Sequence, residues 1–474
     1  MACAANRLKF EGMPHLRLLA CLIVLLAGCR VARAGDDPDF AVRADALVAP
    51  YARSGIFSGT VVVAREGHIL FRRAYGLANR EWDLANTPET RFRIGSLTKQ
   101  FTAAAVLRLV EAGRLGLDDP VCAHVPGLPV SWATMTIRML LNHTSGLPNV
   151  TALPDYITRT ARLDRTPLET VSLLFGEDLL FQPGSGYEYS NTGYILLAAL
   201  IERITGRPFV DHLNHVLLAP AGLAPMADGD ALLPRRASGY HRADGAWRNA
   251  MPLAASVPSG AGGLWATADD LVAWDRALLS GRVLSSASRA TMFADGGHGY
   301  GLGWYVGNAY GRRLWSHGGF LNGFAAIKDT YPDADLTIVV LGNTETAPAQ
   351  ALSRRLAALV FEAVPDTQLS VSDAVLARYA GFYRIAPRSV LGLTLEGGRL
   401  IASITGRGRI ALSPESDRVF AGEGDTRIAF DIEPDGRPTG ALLDEGGLVR
   451  SGPRIEPAMA RRITARRIGR LTIP

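Results

Sequence analysis

The stretch RFRIGSLTKQ, from Arg91 to Gln100, decides how the chain is read. The extended RFRIG gives way to SLTKQFTAAAVLRLVEAG, which is rich in helix formers and stops at Gly113, so a strand-to-helix corner falls at Ser96. On that helix Ser96 and Lys99 are spaced i, i+3 and share a face. The hydroxyl lies at the helix N-terminus, where free N–H groups and the dipole favour negative charge. The lysine is the odd letter: of 50 basic residues only Lys9, Lys99 and Lys328 are lysine, and the others are arginine. Arginine cannot release its proton in a protein, whereas a buried lysine can have its pKa lowered and act as a base. The competing reading is a Ser N-cap beside a surface lysine, and the arginine bias argues against it. Lys9 belongs to the N-terminal signal, and Lys328, in IKDTYPDAD, reads as the exposed lysine of a hairpin.

Two more stretches supply groups that a Ser-Lys pair needs to pass protons. QPGSGYEYSNTGYILL places Tyr189, Ser190 and Asn191 just before a helical run; the alternative is that Ser190 or Asn191 only caps that helix. WSHGGFLNGF places His317, Gly318 and Gly319 on a late strand, where paired glycines mark the close approach of another backbone or a substrate. A structural histidine is the alternative there.

Residues 39–54 read as a helix, and GTVVVA and HILFRRAYG as two strands around a tight turn. Residues 115–285 read mostly as helices and loops, including TADDLVAWDRALLSG, opened by Thr267 with Asp270 three later. After Gly299 strands return (YGLGWYVG, RRLWSHGG, NGFAAIKD, LTIVVLGN), and a last helix follows. Early and late strands then join one antiparallel sheet flanked by helices, with a mostly helical insert: an α+β unit over 37–366. From VSDAVLARYAGFYRI onward the text has short strands, turn dipeptides and no long helix, giving a C-terminal all-β, barrel-like module over 370–474.

A chain of 474 residues with 48% hydrophobic and 20% charged residues suits a soluble two-domain protein. The net charge of +5 comes from scattered arginines; the tail RRITARRIGR reads as a solvated basic end, and no aromatic-basic stripe suggests nucleic acid. Arg7, Lys9 and Arg17 precede the apolar LLACLIVLLAG, and small Ala32 and Ala34 follow, so 1–34 reads as an export signal. LAGC resembles a bacterial lipobox, giving the alternative of a signal ending at 28 and a lipidated Cys29. The protein is therefore expected outside the cytoplasm, periplasmic or membrane-anchored as a lipoprotein. Only Cys122 lies outside the signal region, which excludes an intramolecular disulfide and a Cys-based metal site. No metal or other cofactor is implied.

The three motifs in this order, Ser-x-x-Lys, Tyr-x-Asn and His-Gly-Gly, resemble the penicillin-recognising serine hydrolases: class C β-lactamases, DD-peptidases, D-aminopeptidases and related esterases. Accessory stretches support the likeness over roughly 40–365: LDDPV, LLNHTSGLP, GAGGLWATADDL and GLGW. The resemblance implies Ser96 as nucleophile, with Lys99 and Tyr189 sharing the base and acid roles. It implies Asn191 holding Lys99 and the substrate, and the N–H groups of Ser96 and Phe320 as an oxyanion hole. His317, with Gly318 and Gly319, would line the substrate site, but it replaces the lysine that in many members helps bind a substrate carboxylate. The implied activity is acyl-enzyme hydrolysis of an ester or amide, with D-amino-acid or cell-wall peptides and small esters as substrates and true β-lactams ranked lower. The alternative of another class is a catalytically silent peptidoglycan- or peptide-binding protein.

Overall fold

The computed structural model describes residues 38–468, apart from 154–155, 157–158, 230–231, 244–245, 255, 364–370, 387–388, 406–408, 423–425, 434 and 446–447. Residues 1–34, read from the sequence as a signal, and the candidate lipidation site Cys29 lie outside the described residues. Helix α1 (Pro38–Arg53) leads into the hairpin of β1 (Gly59–Arg65) and β2 (His68–Tyr75). The short strand β3 (Phe92–Arg93) feeds helix α2 (Thr98–Glu111) through a single 3-10 turn, Gly95–Leu97. A mostly helical region holds α3 (Asn191–Thr205), the strand β4 (Trp265–Ala266) paired with β3, and α4 (Ala268–Leu279), which opens on a Thr267/Asp270 capping box. Strands β5 (Tyr305–Ala309), β6 (Arg312–Leu321), β7 (Phe324–Tyr331) and β8 (Leu336–Gly342) follow, then helix α5 (Ala349–Phe361). Early and late strands form one antiparallel sheet in the order β2-β1-β8-β7-β6-β5, as the sequence predicts.

Both faces of the sheet are covered, so its central strands are mostly apolar, and β7 and β8 are buried along their whole length. Side chains alternate between faces. Val62, Ala326, Val339 and Leu341 join the core shared with α2, α3 and α4, while Val61, Val63, Ile327, Ile338 and Val340 pack with α1 and α5. Each such aliphatic side chain contributes about 1.5–3 kcal/mol on burial. The same alternation overturns the reading of Lys328 as an exposed hairpin residue. Strand β7 runs on through Tyr331, so Lys328 sits mid-strand on the face that α4 covers, fully buried and ion-paired with Asp275.

The C-terminal unit is a nine-stranded antiparallel sheet: β9 (Gly381–Ala386), β10 (Ser389–Glu396), β11 (Arg399–Ile404), β12 (Arg409–Ala411), β13 (Ser413–Pro414), β14 (Val419–Ala421), β15 (Thr426–Ile432), β16 (Pro438–Glu445) and β17 (Leu448–Ile455). The order is β12-β11-β10-β9-β17-β16-β15-β14-β13. The two edge strands are consecutive in sequence, joined through Leu412, so the sheet curls into a nearly closed barrel around Tyr383, Leu391, Phe420, Phe430 and Leu443. One expectation for this unit fails: a 12-residue helix, α6 (Pro457–Ile468), takes up most of the basic tail. Proline starts it, and Ala, Met and Arg are good helix formers.

The barrel is not merely appended. Val419, Ala429 and Leu442 share the core of α1 and α5. Glu415 accepts a hydrogen bond from Tyr51 (2.8 Å) and pairs with Arg355 (2.5 Å). Arg418 pairs with Glu345 (2.8 Å).

Candidate active site

Sheet and helices converge on the corner at Ser96. Gly95 sits at φ +54°, a conformation glycine adopts without strain, and a Cβ there would press on the Phe320 nitrogen. A Cβ on Gly319 would collide with the Ile94 carbonyl. Gly319 and Gly95 thus let β6 cross directly against the turn that carries Ser96, bringing the Phe320 backbone to it, whereas Gly318 has room for a Cβ.

Lys99 is fully buried. Its Nζ lies 3.0 Å from Ser96 Oγ, 2.8 Å from Asn191 Oδ1 and 2.8 Å from the Ala261 carbonyl oxygen. Burial holds its pKa well below the ordinary lysine value. The three contacts fit a neutral amine. Asn191 Oδ1 and the carbonyl can only accept, so they take the two amine hydrogens and leave the lone pair facing the Ser96 hydroxyl. Asn191 is held in that orientation by Asn149, whose Oδ1 accepts from its amide (3.4 Å). Ser96 does not serve as a helix cap, and Ser190, the residue before α3, makes no side-chain cap either. Both competing readings therefore fail.

Tyr189 packs its ring 4.9 Å from Lys99 Nζ. Burial pushes its phenol far above the usual range, and a hydrogen bond with Ser96 offsets this only in part. At neutral pH it keeps its proton. His317 is buried. Its Nδ1 is 2.6 Å from the Gly318 carbonyl, which can only accept, so Nδ1 carries the proton and Nε2 accepts from Tyr300 Oη (3.0 Å). Burial lowers its pKa to about 3, and Lys99 adds to the shift only when protonated. His317 is thus a neutral member of an aromatic cluster. The nearby arginines do not replace a cation there: Arg313 pairs with Asp333 (2.5 Å) and Arg312 lies over Phe361.

The sequence gives no role to His143, though LLNHTSGLP contains it. It adopts φ +63°. Its Nδ1 accepts from the Ser190 N–H (3.2 Å), and its ring lies 4.3 Å from that of Tyr189. Burial lowers its pKa well below the ordinary value. It braces the loop that presents Tyr189 and Asn191. Arg418 was missed as well: from the barrel, its guanidinium lies 4.9 Å from the Phe320 ring. Ser96 opens into a cleft of about 230 Å³, lined among others by Asn191, Tyr156, Leu253, Ala261 and Phe320.

A catalytic-type serine-lysine-tyrosine group at a helix N-terminus, under a glycine strand, is the architecture of an acyl-transferring serine hydrolase. The chain belongs to the β-lactamase family: the model described as Beta-lactamase matches residues 44–362, and a domain of unknown function, DUF3471, matches 367–461. It is 29% identical to penicillin-binding protein 4* of Bacillus subtilis (strain 168) over 82% of this chain and 93% of that one. It is 31% identical to esterase EstB of Burkholderia gladioli over 57% of this chain and 80% of that one. Among solved structures, a D-amino acid amidase from Ochrobactrum anthropi SV3 superposes with a TM-score of 0.59 and 25% identity, over 70% of this chain and all of that one. The chain is a serine hydrolase of the peptidase, amidase or esterase type.

Proposed function

We propose that the protein is an exported hydrolase in which Ser96 forms an acyl-enzyme with ester or amide substrates, small esters or D-amino-acid and cell-wall peptides. The observation that carries this reading is the contact set of Lys99: a buried amine with two acceptors, the Ser96 hydroxyl and, among the described residues, no carboxylate. Neutral Lys99 takes the Ser96 proton as Oγ attacks the carbonyl. The Ser96 and Phe320 N–H groups receive the developing oxyanion, a contribution of about 3–4 kcal/mol per donor in comparable sites. Tyr189, protonated and hydrogen-bonded to Ser96, passes a proton to the leaving group, and Lys99 replenishes it. Water then cleaves the ester at Ser96 with the same groups reversed. Asn191 fixes Lys99, while His317, Gly318 and Gly319 shape the strand along which the substrate lies. The neutral His317 argues against β-lactams as preferred substrates, because no cation at that motif meets their carboxylate.

The hydrolase unit spans 37–366 and the barrel 370–474. The signal is removed after Ala34, or before a lipidated Cys29 that anchors the protein to the membrane; the mass of the mature N-terminus separates these. The functional test is a fluorophosphonate label followed by a panel of p-nitrophenyl esters, D-amino-acid anilides and a chromogenic cephalosporin. Labelling at Ser96, lost in Ser96→Ala, with turnover of an ester or anilide is the expected result. Folded protein that takes no label would instead favour a silent binding protein.

A further inference from the structure

Beside the Ser96 cleft lies a second one of about 270 Å³, lined among others by Arg93, Arg236, Trp265, Asn249 and Met251. The two are continuous in their walls: Leu253, Leu321 and Asn322 line both. Arg93 is three residues before Ser96, on β3, and its strand partner is Trp265. Arg236 is held alongside by a bridge to Arg91, and Ala237 N–H donates to the Arg91 carbonyl (3.0 Å). Both guanidinium groups lie against the Trp265 ring, 5.2 Å and 5.5 Å from its centre.

Two features of this pair are unexplained by the fold. Arg93 Nη1 is buried and has no hydrogen-bond partner among the described residues. A buried donor left unpaired is unfavourable, and a second cation beside it adds repulsion. Burial and Arg236 lower the Arg93 pKa to about 10, and Asp228 counters them only weakly. Arg93 and Arg236 both line the cleft, and a guanidinium is matched by a carboxylate, which can accept two parallel hydrogen bonds from it. The cleft also has an aromatic wall in Trp265 for the apolar part of such a ligand.

Resting on the acyl-enzyme reading above, we propose that this second cleft is an anion subsite of the hydrolase. It binds a carboxylate carried by the substrate away from the scissile bond, with Arg93 as the principal ligand and Arg236 as the supporting charge. Substrate selection is thereby moved from the third motif, where His317 is neutral, to a pair of arginines beside the nucleophile. The favoured substrates are esters or amides with a remote carboxylate, on either the acyl or the leaving side.

Matched esters test this. On the acyl side, mono-p-nitrophenyl adipate is compared with p-nitrophenyl hexanoate; on the leaving side, 3-carboxy-4-nitrophenyl acetate is compared with p-nitrophenyl acetate. The readout is the ratio of kcat/KM, anionic over neutral, in the full chain. The wild type is expected to favour the anionic member of at least one pair. That ratio should fall ten- to a hundredfold in Arg93→Gln, less in Arg93→Lys, and about threefold in the more exposed Arg236→Gln, the scale of a lost charge-assisted hydrogen bond. High salt should shrink the wild-type ratio. If Arg93→Gln fails to fold, Arg236→Gln and the salt dependence still decide. A wild type indifferent to the carboxylate in both pairs, or variants that lose both members equally, would overturn the subsite while leaving the hydrolase reading intact. Absence of both labelling at Ser96 and neutral-ester turnover would overturn both.

Discussion

Two buried lysines in one domain do opposite things. Lys99 and Lys328 are both fully buried, in a chain whose other basic residues, Lys9 apart, are all arginine. Lys328 faces Asp275, whose carboxylate also accepts from Thr330 and from Thr337 (2.9 Å), and its ammonium lies 4.0 Å from the Trp304 ring centre. Burial lowers its pKa, but the Asp275 charge opposes the shift. Lys99 faces neutral acceptors, a hydroxyl and the Tyr189 and Tyr194 rings, and among the described residues no charged partner opposes burial. What separates a structural lysine from a candidate base is the charge of the partner. Both sites favour the compact amine head of lysine over the five-donor fork of arginine. The scarcity of lysine in the sequence thus marks burial; it does not mark basicity.

The comparison can be broken most severely at Lys99. Lys99→Arg, which keeps a permanent charge, should lower the rate of Ser96 acylation at least about a hundredfold, the scale of lost general-base catalysis. Near-normal acylation kinetics would remove Lys99 from the base role. At the other lysine the effect falls on stability. Asp275→Asn leaves Lys328 buried without its counter-charge and should cost about 3–5 kcal/mol, measured by urea unfolding. The double change Lys328→Met with Asp275→Leu should recover most of that loss, because an apolar pair needs no desolvation. If the single change is silent, the pair contributes nothing to the fold. Removing the barrel is the next test. A chain ending at residue 363 loses Glu415 from Tyr51 and Arg355, and Arg418 from Phe320. It should still label at Ser96 but unfold at least about 2 °C lower, an effect of about a kcal/mol or more. An unchanged midpoint would show that the interface is idle.

The smallest effect concerns His317. Its folded pKa of about 3 lies below the unfolded value near 6.5. Between those values the unfolded chain binds a proton that the folded chain does not, so this group costs stability as pH falls through that window. His317→Gln should therefore flatten the loss of thermal midpoint between pH 6.5 and about 4, read by scanning calorimetry. An unchanged slope would mean that His317 titrates normally.

Much of the fold and site was legible because it rests on short-range rules. The β1–β2 hairpin, the Thr267/Asp270 cap, the Ser96-Lys99 spacing and the glycines opposite the Ser96 turn each follow from a few adjacent residues. Lys328 was misplaced because its environment depends on α4, 53 residues earlier in the chain, lying over one face of β7. His143 and Arg418 act on residues 46 or more positions away, through a ring stack and a domain contact, and no local pattern announces either. Helix α6 hid in a run of arginines whose charge suggested a solvated tail, although their helix propensity is good.

The central claim is that Lys99 is neutral at working pH while Lys328 stays charged. With Lys9 absent, a chain of residues 38–474 holds only these two lysines. Nζ nitrogen NMR of the [15N]lysine-labelled protein can therefore follow each one, with Lys328→Met assigning the signals. The account predicts one resonance that loses its proton well below the ordinary lysine value of about 10.4, in step with the acid limb of Ser96 acylation, and one that remains an ammonium across that range. Two ammonium signals persisting to about pH 10, with acylation already at full rate, would contradict it.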